Sequence, residues 1–193
     1  LLDSTRDGLD DAGLDPLALA TVEETLATTY LSLGLPESGE KLAQSASSRL
    51  NHALGPDHPR TLAARHAEAR FYIYGGDYER AIDLLEPTLA GRQAVLGEHI
   101  DTVNTLHNLA MAYAMKGEVE KALEMDLRQL AIVERLSGKG SPDALTTMMS
   151  IGQGYSELGR HQEALDIFRQ VYEGQKAYLG DKHPTTMSAL NNY

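Results

Sequence analysis

The chain has 193 residues, enough for one sizeable core or for one stretch of a longer repeat array, and its 42% apolar content excludes a disordered chain. A formal net charge of −11 argues against nucleic acid and anionic membrane surfaces as partners, and the lack of cysteine excludes disulfides and thiolate metal sites. Leu and Ala supply most of the apolar content, which favours helix over strand, and no apolar run approaches the ~20 residues a membrane span needs.

In chain order, the opening "LLDSTRDGLDDAGLDPLALATVEETLATTYLSLG" leads into a first unit at about residues 17–53, with Tyr30 and then Gly34 and Gly39. A second unit, about 59–95, follows the phrase "LGPDHPRTL" and carries Tyr72, Gly76 and Ala81. The third, about 100–136, repeats the trio as Tyr113, Gly117 and Ala122, and the fourth, about 142–178, as Tyr155, Gly159 and Ala164. The steps between successive marker tyrosines are 42, 41 and 42 residues, and the short step falls where "GEHIDT" is one residue shorter than "GPDHPRT". The phrase returns as "LGDKHPTTM" before a partial fifth unit at about 184–193. A period of this length signals stacked supersecondary units.

Each unit reads as two helices. In "TVNTLHNLAMAYAMKG", Leu106, Leu109, Ala110 and Tyr113 fall on one helical face and Gly117 stops the helix. In "EVEKALEMDLRQLAIVERL", the pattern predicts that Ala122, Leu123, Leu127, Leu130 and Val133 face inward. Pro87 in the second helix of unit 2 is expected to kink or shorten it. His58, His99 and His183 stand at the joints and read as helix-entry residues, with Ser141 in the matching role before Pro142.

The order Leu, small residue, Tyr, Gly, Ala resembles the tetratricopeptide repeat (TPR). The 42-residue spacing with an "LG…HP.T" joint is similar to the repeats of kinesin light chain and its bacterial relatives, with "LHNLAMAYAMKGEVEKAL" the nearest match. Gly39 in place of Ala, and Glu68 in place of the usual Leu, depart from that pattern. The opening stretch resembles the entry to the repeat region of bacterial serine/threonine protein kinases. The fold implied is all-α: a right-handed α-α superhelix of about four helix pairs plus the first helix of a fifth, forming a single domain over 1–193 that is a piece of a longer protein.

The resemblance also implies a concave groove lined by the first helices. By the repeat offsets its residues are His66, Arg70 and Tyr74 in unit 2, Asn104, His107, Asn108, Met111 and Met115 in unit 3, and Met149 and Gln153 in unit 4. Amides can grip a peptide backbone, and methionines adapt to varied apolar side chains. A protein or peptide ligand is therefore expected in the groove, as for a scaffold or regulatory part of a bacterial signalling protein. Some tetratricopeptide domains clamp a terminal carboxylate with a Lys/Asn/Arg set; here Arg70, Asn104 and Asn108 are available without a groove lysine. "SGKGS" lacks the earlier glycine of a phosphate loop, and "HQEAL" lacks the second histidine of a zinc-protease helix. No catalytic residue, metal site or cofactor is assigned. The alternatives are self-assembly into a homo-oligomer through exposed terminal helices, and the regulatory domain of a serine/threonine kinase.

Overall fold

Proline and glycine punctuate the chain where the repeat requires it. The computed structural model describes residues 13 and 15–192, and residues 1–12 and 14 of the opening stretch likened above to a kinase-linked entry lie outside them. Among the described residues there are nine α-helices and no strand: α1 (Pro16–Ser32), α2 (Pro36–Leu54), α3 (Pro59–Gly75), α4 (Tyr78–Leu96), α5 (Ile100–Lys116), α6 (Val119–Ser137), α7 (Pro142–Glu157), α8 (His161–Leu179) and α9 (Pro184–Asn192).

The helix entries follow from cap chemistry. The Asp15 carboxylate accepts from the amides of Leu17 and Ala18, at 3.0 and 3.1 Å, and Pro16 takes the first helical position. The joint histidines do the same work with a ring nitrogen: Nδ1 of His58, His99 and His183 accepts from the amides of Arg60, Asp101 and Thr185 at 3.2, 3.1 and 3.3 Å. Ser141 Oγ accepts from Ala144 N at 3.3 Å. At the turn between paired helices, Gly76 and Gly117 adopt left-handed φ of 80° and 86°, which a side chain would resist.

The chain divides into two compact units, Leu1–Gly97 and Glu98–Tyr193. In the first, consecutive helices α1 to α4 pack on one another. Leu19, Leu26, Tyr30, Leu42 and Phe71 form one core cluster, and Ala20, Ala46, Leu50 and Ala64 another. In the second, α5 to α9 pack consecutively, with a cluster of Leu145, Met148 and Val171 between α7 and α8. Small residues set the closeness of these pairs. A Cβ on Gly39 would stand 2.6 Å from the Phe71 ring, and one on Gly152 would stand 2.4 Å from the Phe168 ring. Gly39 is thus smaller than the expected alanine because a phenyl ring fills its place.

Two expectations are corrected. Pro87 does not shorten its helix: α4 has 19 residues, as do α2, α6 and α8. Pro87 and Asp83 are both exposed, so the carbonyl that loses its amide partner lies on the water side. Leu127 does not face inward; it is 43% exposed, and Met125, Asp126 and Gln129 are buried in its stead.

Candidate functional site

The marker tyrosines pin each helix pair before any ligand is considered. Tyr72 is buried, and its hydroxyl donates to Glu68 Oε1 at 2.8 Å while accepting from Gln44 Nε2 at 2.8 Å and Arg80 Nη2 at 2.9 Å. Burial and then the hydrogen bond to Glu68 push its pKa up to about 12. This explains the glutamate where the repeat pattern favours leucine. The Arg80 guanidinium also lies 4.1 Å from the Tyr72 ring centre, and Lys121 and Arg160 take the same place over Tyr113 and Tyr155 at 5.1 and 4.5 Å.

In the first unit, Arg70 and Tyr74 of α3 face Thr28 and Leu31 of α1 across a hollow of about 510 Å³. Tyr74 is 61% exposed. His66, one turn earlier on α3, is half-buried.

In the second unit the exposed stripe of α5 runs through Asn104, His107, Met111, Ala114 and Met115. Asn104 and His107 line a hollow of about 190 Å³ with Gln129 and Thr147. Gln129 Nε2 donates to Thr147 Oγ1 at 3.1 Å, which ties α6 to α7. A neighbouring hollow of about 250 Å³ brings His107 and Met111 of α5 together with Gln153 and Glu157 of α7. Met115 stands exposed at the end of the stripe. Asn108 and Met149 depart from the expected face. Asn108 lies at the border of the α5 stripe and is only 9% exposed, and Met149 packs partly buried against the Leu145–Met148–Val171 cluster.

The second hollow contains a residue that the sequence reading missed. Asp126 of α6 lines it and is 8% exposed. Its carboxylate makes no hydrogen bond or ion pair among the described residues, and burial alone raises its pKa to about 7. Glu23 in the first unit, buried to a similar degree, shows the ordinary solution: Ser45 Oγ donates to it at 2.7 Å and Arg49 Nε at 3.2 Å. The available signal was spacing, since Ala122, Asp126, Gln129 and Val133 form one i, i+4, i+7, i+11 ladder.

Among the described residues no group of three His, Cys, Asp or Glu side chains could hold a metal ion, and no helix is long and apolar enough to cross a membrane. The helix pairs, their glycine turns and the marker tyrosines define a helical repeat scaffold of the protein-binding class. The tetratricopeptide repeat model matches residues 18–94, 69–128 and 101–177, and the chain belongs to that family. It is similar in structure to a kinesin light chain-type protein of Podosopora anserina with nearly identical TPR-like repeats. That match has a TM-score of 0.81 at 27% identity and covers 92% of this chain and 84% of that one. BtubC (BKLC) from P. vanneervenii shares the fold with a TM-score of 0.80 at 24% identity, over 93% of this chain and 73% of that one. In sequence the chain is 26% identical over 137 residues to the clustered mitochondria protein homolog of Ajellomyces capsulatus, covering 69% of this chain and 11% of that protein. The Coccidioides immitis homolog is 23% identical over the same length. The chain thus spans about a tenth of the length of these curated relatives.

Proposed function

We propose that this chain is a non-catalytic interaction module that binds a peptide or protein segment along the exposed face of its first helices. The observation that carries the reading is that this face is hollowed in each unit: Arg70 and Tyr74 flank one recess, and His107, Met111 and Gln153 flank another. Recesses that set several polar groups beside apolar ones suit side chains of an extended or helical segment. The reading of the parent as a bacterial signalling protein rests on the likeness of the joint phrase and opening stretch alone. Of the two expected amides, Asn104 faces solvent and is the one offered to a ligand in this reading, while Asn108 is buried at the border of the stripe.

The test is selection of a binding 12-residue peptide from a random display library, followed by fluorescence-polarisation titration. Tyr74→Ala with Arg70→Ala, and separately Met111→Ala with Gln153→Ala, are expected to weaken binding about tenfold or more with unchanged far-UV circular dichroism. Loss of binding through Leu127→Ser and Leu165→Ser, two exposed leucines of the second helices, with the first-helix variants unaffected, would overturn the reading.

A further inference from the structure

An ionisable carboxylate is rarely left buried and unpaired. Asp126 as a residue is more than nine-tenths covered, its carboxylate has no partner among the described residues, and it borders the hollow between α5, α6 and α7, where its oxygens are not fully enclosed. Ala110 and Ala114 of α5, Ala122 and Leu123 of α6, and Gly154 of α7 give the hollow an apolar and mostly short stretch of wall, beside the polar His107, Ser150 and Gln153. A Cβ on Gly154 would meet only the Leu123 side chain, at 3.6 Å, so the glycine leaves room there. Glu157 adds a second carboxylate, and no Lys or Arg lines the hollow. Its volume of about 250 Å³ is below the roughly 300–1,000 Å³ of sites for drug-sized ligands, so one side chain is the natural occupant.

We propose that this hollow is a specificity pocket for one cationic side chain, Lys or Arg, of the bound segment, with Asp126 as its counter-ion. The inference rests on the interaction reading above and names the anchor that reading lacks. The apolar walls match the methylene stem of such a side chain, whose charged end then reaches the carboxylate. The carboxylate lacks the partner that Glu23 finds in Arg49, and an incoming ammonium or guanidinium supplies it.

Binding has a proton signature. Because burial holds Asp126 near neutrality, a cation that binds only the ionised form gains roughly tenfold in affinity between pH 6 and pH 8. Two other ionisable groups face the hollow, His107 from α5 and Glu157 from α7, and α6 itself contributes only Asp126. His107→Gln is expected to keep the Asp126-dependent slope.

The probe is n-butylammonium, with n-butanol as its neutral analogue, titrated into the ¹⁵N-labelled chain at pH 8. Shifts at the amides of Met111, Leu123, Asp126 and Gly154 with butylammonium, at least fivefold tighter than with butanol and lost in Asp126→Asn, are the expected result. Ala114→Leu, which crowds the same hollow without touching the carboxylate, should weaken binding likewise. Equal affinity for the two compounds, or binding that survives Asp126→Asn, would overturn the pocket. A butylammonium site with no selectable peptide would leave the pocket standing and remove the interaction reading. A selected peptide that tolerates Lys and Arg replaced by Gln would do the reverse.

Discussion

Asp126 ties stability and function together at a single residue. Its folded pKa of about 7 lies above the 3.8 of the free side chain. Below about pH 4 both folded and unfolded states hold the proton and the group is neutral in its effect. Between about pH 4 and 7 the unfolded chain ionises first, so the group increasingly destabilises the fold; above about 7 the penalty is constant. Its upper bound is about 4 kcal/mol, at 1.36 kcal/mol per unit. Asp126→Asn is therefore expected to be about 1–3 kcal/mol more stable than the parent at pH 8, since the amide also lacks partners. The gap should close by pH 4, as read by urea denaturation of both proteins. A variant less stable at pH 8 would show that the carboxylate holds the fold. The Tyr72 hydroxyl makes the opposite case. It joins the half-buried Glu68 and Gln44 to the exposed Arg80, and Tyr72→Phe leaves Glu68 and Gln44 short of a partner. A loss of about 1–3 kcal/mol is expected, measured by the same unfolding curves.

Packing between neighbouring helices decides the outcome of glycine substitutions. Alanine is the better helix former by about 1 kcal/mol, so propensity alone would favour Gly152→Ala in α7. The added methyl would sit 2.4 Å from the Phe168 ring, and overpacking of that kind costs about 1–3 kcal/mol. Gly152→Ala is expected to lower the melting temperature, and Gly154→Ala, whose nearest neighbour is 3.6 Å away, to raise it slightly. At this scale much was legible in the chain. Marker tyrosines, glycine turns and joint prolines announce where helices begin and end, because those features depend on backbone chemistry within a few residues. The inward faces of second helices were less legible. Leu127 looks like a core residue by composition, but the side chain inward by rotation is Asp126, one helical turn after Ala122. Hydrophobicity ranked the two residues in one order, and the geometry of the neighbouring first helices imposed the other. The same limit applies to Asn108: offsets identify the face, but its border is set by how close the next helix lies.

For the whole molecule, the repeat predicts that stability is assembled from neighbouring pairs. The units Leu1–Gly97 and Glu98–Tyr193 each contain consecutively packed helices. Residues 98–193 expressed alone should accordingly keep a helical circular dichroism spectrum and melt cooperatively; a coil-like spectrum would refute this. The joints add a last consequence, one of rotational phase. The second helices keep 19 residues throughout, while the joint from Gly97 to His99 is a residue shorter than those from Gly55 to His58 and from Gly138 to Ser141. A residue gained or lost between helices changes the rotational position of no residue within its own helix. One inserted inside α6 ahead of Asp126 would turn the rest of that helix by about 100° relative to what precedes it, carrying the carboxylate off the hollow's wall. The helices therefore act as fixed counters of angle, and the joints are the places where the chain can change its length without losing count.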